Sequence, residues 1–96
     1  MIIYKCKYKN NISLQHYIKN KHNVTWWGRE EETLDLKSDN NMNLLFQDND
    51  IILFFVDKYL TYSIYNDTPY SREFESAIDY DKILRKEKLK KLIYGR

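Results

Sequence analysis

The chain is poor in the residues that bend, cross-link or specialise a backbone: its 96 residues include two glycines, one proline, one cysteine and one alanine. A lone Cys6 cannot close an internal disulfide, which removes the signature of an oxidising compartment and predicts a cytoplasmic protein, in the host cytoplasm if a phage encodes it. No apolar run approaches the roughly 18 residues of a membrane span, and the N-terminus lacks a signal peptide's long apolar region and small-residue cleavage site, so no membrane is expected. With only Gly28 and Gly95, phosphate-cradling loops have almost no raw material.

Catalytic and metal-binding patterns are equally scarce. His16 and His22 are six residues apart, about 120° off one another's face on a helix, and beside a single cysteine they have no metal-ligand spacing. Asp48-Asn49-Asp50 begins like a calcium loop, but Leu53 stands where that loop needs glycine and Tyr59 where it needs a bidentate acid. An acidic hairpin turn is the better reading. Asp35-Leu36-Lys37 matches the acid-x-lysine pair of many nucleases over three residues, with no isolated acidic partner before it. Neither a Ser/His/Asp order nor a Cys/His pair with family context is present. The expectation is a non-enzyme with no catalytic residues, no metal and no cofactor.

What is abundant is Asn, Tyr and Lys, at nine, nine and twelve residues. This is the usage of an AT-rich genome and fits mesophilic bacteria, their phages and mobile elements. Charge is unevenly spread. Residues 1–28 carry five lysines and no acid; residues 29–81 set thirteen acids against four bases, a net −9; the last fifteen residues return to +6. Basic ends therefore flank an acidic middle, and the whole chain is +2. Such a polarised surface can steer a charged partner, or its ends can simply neutralise the middle.

Apolar density peaks in residues 43–65. Ile51 to Val56 is six apolar residues in a row, rich in Ile, Phe and Val, bounded by polar breaks of hairpin length. With alternation at Leu44 and Phe46 before it, and at Leu60, Tyr62 and Ile64 after it, the stretch predicts a three-stranded antiparallel meander. Leu53, Phe54 and Phe55 are expected among the most buried residues. Residues 2–8 alternate as a further strand, with Ile2, Tyr4, Cys6 and Tyr8 on one face and Ile3, Lys5, Lys7 and Lys9 on the other. The lysine face suits protection of a sheet edge better than tracking of a phosphate backbone.

Ser13 can cap a helix running to about His22, with Leu14, Tyr17 and Ile18 inward and Asn23 ending it. Val24–Gly28 and Thr33–Lys37 read as short strands, and Ser38-Asp39-Asn40-Asn41 as a turn into the meander. After residue 65, Thr68 and Pro69 open a C-terminal helical region. The fold class is thus α+β in a single domain spanning residues 1–96: a small antiparallel sheet with a short N-terminal helix and a C-terminal helical region.

Three features bear on binding. Adjacent Trp26 and Trp27 cannot both point inward from a strand, so one is exposed. Glu30, Glu31 and Glu32, with Asp35 and Asp39, concentrate negative charge. In the C-terminal region, Tyr80, Ile83 and Leu84 share one side of a helix, whereas Leu89, Leu92 and Ile93 fall nearly opposite. Breaks near Asp79 and Lys86 would reunite the two sets; otherwise the second forms a homodimer or partner interface.

The expected function is a small protein-binding inhibitor of phage or mobile-element origin. Its acidic middle, with Trp26, Trp27, Leu89, Leu92 and Ile93, engages a protein partner with a basic surface, such as a host nuclease or defence complex. The general character is that of anti-defence proteins such as anti-CRISPRs, although no motif ties the chain to a family. The alternative is a nucleic-acid-binding module using Lys5, Lys7, Lys9, Lys86 and Lys90, with exposed aromatics as stacking platforms.

Overall fold

Alternation in the N-terminal strand decides the layering. In the computed structural model, which describes residues 1–39, 46–65 and 70–94 with side chains through residue 90, strand β1 (Ile2–Lys7) pairs antiparallel with β2 (Ile51–Val56) along its whole length. Tyr4 faces Phe54 and Cys6 faces Ile52 across this ladder. Strand β3 (Leu60–Ile64) returns antiparallel on the far side of β2, and the two-residue β4 (Ile78–Asp79) lies parallel to β1. The result is a mixed α+β sheet in the order β3-β2-β1-β4.

One face of the sheet carries the main core: Tyr4, Cys6, Ile52, Phe54, Val56 and Leu60 meet Leu14 and Ile18 of helix α1 (Asn11–His22), with Trp26, Leu34, Leu36, Phe46 and Tyr80 around them. Burial, with Asp81 and Asp79 in the vicinity, pushes the Cys6 thiol pKa well up, so the side chain behaves as a small hydrophobe. The other face is covered by aromatics. The short helix α3 (Ser71–Ser76) brings Phe74 onto Tyr65, with ring centroids 4.3 Å apart, and Tyr70 packs on Phe55 at 6.0 Å. Leu53 is fully buried beneath this layer, but Phe55, expected to be equally buried, is only partly so. Ile52 takes its place in the core, because even-numbered residues of β2 face the thicker helical layer.

Helix α1 ends as its sequence predicts. Asn23 adopts a left-handed conformation, φ 52°, and its N–H donates to the Lys19 carbonyl. Its start differs. A 3-10 turn (Tyr8–Asn10) leads into Asn11, and Ser13, the expected cap, instead hydrogen-bonds the Tyr80 hydroxyl at 2.6 Å. Two strand expectations are corrected here. Val24–Gly28 contributes a single parallel bridge, from Trp26 to Leu60, and not a strand. Thr33–Lys37 does not extend either: Leu36–Asp39 is one helical turn, α2. Asp35 caps that turn, accepting from the Lys37 N–H at 3.2 Å and the Ser38 hydroxyl at 3.1 Å. Local side-chain bonding to the backbone overrides the two-residue apolar alternation.

Strand β1 lies inside the sheet and not at its edge, since β4 covers its second side. Phe46 lies outside the strands, stacked at 4.7 Å on Tyr8. The expected strand at residues 43–46 otherwise falls outside the described residues, as do Asn40 and Asn41 of the expected turn and the Thr68–Pro69 helix opening. The break near Asp79 is present: α3 stops at Ser76, and Asp79 accepts from the Lys82 N–H to open helix α4 (Tyr80–Tyr94). No second break occurs near Lys86; α4 runs on without interruption. No described helix is long and apolar enough to cross a membrane.

A buried amide holds the long 24–39 connection against α1. Gln15, with no exposed surface, accepts from the Leu34 N–H at 2.7 Å and donates to the Leu34 carbonyl and to Asn11 Oδ1, both at 3.0 Å. Replacing Gln15 with Leu fills similar space but orphans both backbone groups of Leu34, at about 1–3 kcal/mol each. Gln15→Leu is therefore expected to lose on the order of 2–6 kcal/mol in urea denaturation. An unchanged midpoint would mean that the amide is not the clamp.

Candidate partner-binding surface

The two tryptophans separate as adjacent residues must. Trp26 is 3% exposed and packs against Phe54 and edge-on to Tyr62, whereas Trp27 is 67% exposed. The backbone fixes this division. Leu60 N–H donates to the Thr25 carbonyl at 2.9 Å and Trp27 N–H to the Leu60 carbonyl at 3.2 Å, tying the dipeptide to the outer edge of β3. Arg29 N–H then reaches back to the Trp26 carbonyl, closing a tight turn with Gly28 at φ 69°. This is the position where a type II turn needs a glycine. Buried Trp26 thus serves the core and is corrected as a contact residue; its indole N–H has no hydrogen-bond partner among the described residues.

Beside Trp27 lies a shallow groove floored by Leu34 and Leu60, with Arg29, Asp39 and Tyr62 on its walls. Those walls are cross-braced. Arg29 forms an ion pair with Asp39, whose Oδ2 accepts from the Tyr62 hydroxyl at 2.8 Å. Asp39 is therefore committed to the fold and is not free to face a partner. Asp35, although exposed, is likewise engaged in capping α2. Glu30, Glu31 and Glu32 differ: all three are exposed, and none makes an ion pair or hydrogen bond among the described residues. Trp27 and this glutamate run, three residues apart, project from the β3 side of the molecule.

The remaining predicted contacts are dispersed. Tyr80 is buried and Ile83 and Leu84 pack on the core, as their shorter tether predicts. Leu89 is 59% exposed on α4, while the side chains of Leu92 and Ile93 lie outside the described residues. Lys5 does not face solvent as a free cation. Its Nζ donates to the Phe74 carbonyl at 3.1 Å and sits 3.9 Å from that ring's centroid, so Lys5 is roofed by α3. Lys86 and Lys90 are exposed on α4. Lys7 and Lys9 instead converge with Arg85 and Lys88 at the β4 side of the sheet. The sequence reading missed this pair, whose signal was the 81-85-88 spacing along one helical face. Among the described residues, Lys7, Lys9, Arg85 and Lys88 therefore gather at the β4 side while Trp27 stands at the β3 side.

Tyr4 shares a hydrogen bond of 2.8 Å with His22, which places that histidine in the α1 packing. Among the described residues, no group of three or more His, Cys, Asp or Glu side chains is disposed to hold a metal ion. No protein family, curated protein or solved structure matches this chain.

The groove wall has a pH signature. Burial first, then the hydrogen bond to Asp39, pushes the Tyr62 phenol up to about 12. A pKa raised by folding contributes stability that is complete below the ordinary value of 10.0 and is lost as pH rises toward the folded value. Urea denaturation at about pH 9 and about pH 11.5 is expected to show a smaller alkaline loss for Tyr62→Phe than for the native chain. Identical losses would remove Tyr62 from the bracing of the groove.

Proposed function

We propose that this chain is a small non-enzymatic binding protein whose β3-side surface engages a basic surface on another protein, as the nucleic-acid channel of a nuclease or defence complex presents. The carrying observation is the exposed Trp27 ring held on a rigid turn beside three unpaired glutamates. Exposing a large aromatic to water forgoes its burial energy, and tryptophan is the residue type most enriched among the anchors that dominate protein interfaces. Unpaired carboxylates around it speed association with a cationic partner and repel phosphates, which favours a protein over a nucleic-acid occupant at this surface. An inhibitor acting here presents negative charge where its target expects a phosphate backbone. The fixed backbone ties at Thr25, Trp27 and Arg29 lower the ordering cost on binding.

Affinity capture from a bacterial lysate, with mass spectrometry of the retained proteins, tests the reading. The native chain is expected to retain a partner that both Trp27→Ala and a Glu30→Lys, Glu31→Lys, Glu32→Lys variant lose by at least tenfold, with stability changed by no more than about 0.5 kcal/mol, as for other surface substitutions. Retention that survives both variants would overturn the assignment of this surface.

A further inference from the structure

At the opposite side of the sheet, the C-terminal end of β1 and the first turns of α4 enclose a depression of about 490 Å³, ringed by Lys7, Lys9, Arg85 and Lys88. These four bases come as two pairs from segments more than seventy residues apart in the chain. They are brought together by Asp81, whose two carboxylate oxygens accept from the Lys7 backbone N–H at 3.0 Å and from Asn10 Nδ2 at 2.7 Å. The docking of α4 onto β1 thus directs both oxygens of the one carboxylate in the ring to neutral donors, while its negative charge stays among the four bases. None of the four cationic groups makes an ion pair among the described residues, with Asp81 or with any other acid. The ring thus sets four positive charges against the single negative charge of Asp81, and this excess favours an anion that can contact several of the cations at once. Lys9, Arg85 and Lys88 are exposed, so the cleft is open to a large ligand.

We infer that this cleft binds the phosphate groups of a nucleic-acid strand, at a site distinct from the Trp27 surface. A guanidinium and three ammonium groups suit a run of phosphodiesters: Arg85 can take two oxygens of one phosphate in a fork, while the lysines act as point charges along the backbone. Recognition of this kind is independent of base sequence, because no exposed aromatic lies in the ring to stack on a base. It takes a different pair of α4 cations from Lys86 and Lys90, since only the Asp81 face of the helix looks onto β1.

The test is fluorescence anisotropy with a labelled mixed-sequence 20-nucleotide single strand across a salt series. Four phosphate contacts on a single strand predict a slope of log affinity against log salt of about −3, and two contacts about −1.4. Lys7→Gln with Arg85→Gln is expected to show the shallower slope, and Lys58→Gln, in the β2–β3 turn, the native one. Should the first pair fail to fold by circular dichroism, Lys9→Gln with Lys88→Gln serves in its place, with the same expected slope. No binding at 50 mM salt, or equal slopes in the native chain and the paired variant, would overturn the site. Binding to phosphatidylserine vesicles without binding to the strand would overturn the choice of nucleic acid as the source of the phosphates.

Discussion

The six-residue ladder between β1 and β2 is the constraint on which the rest of the structure depends. It joins residues 2–7 to residues 51–56, so a loop of more than forty residues must close before any of its hydrogen bonds form. Once formed, its register sends Tyr4 and Cys6 into the α1 layer and turns Lys5 toward α3 on the other face. A slip of one residue would put Lys5 into the core. Because β1 then holds β4 on its free side, helix α4 starts where Asp81 can reach the Lys7 N–H. Both ends of the chain are tied to the same strand.

From that arrangement follows a division of labour among the acids. Asp35, Asp50, Asp79 and Asp81 each accept from a backbone N–H, and Asp39 is braced by Tyr62 and Arg29. Short carboxylates suit such local bonds, because their oxygens reach the backbone at little entropic cost. The longer glutamates at 30, 31 and 32 have no hydrogen bond or ion pair among the described residues. The acidic middle of the sequence therefore contains both structural and free carboxylates, and beside the exposed tryptophan Asp39 belongs to the first kind and Glu30–Glu32 to the second. The basic ends divide similarly: Lys5 is bound to Phe74, whereas Lys7 and Lys9 join Arg85 and Lys88.

Much of this was legible in the sequence wherever one local rule acted alone. Alternation located β1, and the apolar run with its polar flanks located β2 and β3. Asn23 marked the end of α1, and the Trp26-Trp27 pair announced that one ring would be exposed. Where two rules competed, the pattern misled. Leu34 and Leu36 are both buried, as alternation implies, yet Asp35 between them caps a helical turn and overrides the strand reading. The lysines of β1 resembled edge protection because nothing local reveals that Ile78–Asp79, more than seventy residues away, supplies a second neighbour. Arg85 and Lys88 were hidden for the same reason: an 81-85-88 face has meaning only once Asp81 is known to dock on β1. The exposure of Glu30–Glu32 and of one tryptophan follows from local properties, excess like charge and chain geometry; that the exposed ring is Trp27 depends on the pairing of residues 25–27 with Leu60, which is not local.

The central claim, that Trp27 stands exposed within a negative field while Trp26 is sealed in the core, has a direct optical test. Trp fluorescence of the native chain is quenched with caesium and with iodide at equal ionic strength, each referred to N-acetyltryptophanamide. The account predicts one accessible and one inaccessible population, with the accessible one quenched by caesium more, and by iodide less, than the free amide, because the carboxylates concentrate the cation and exclude the anion. Stronger relative quenching by iodide, or no population accessible to either ion, would contradict it.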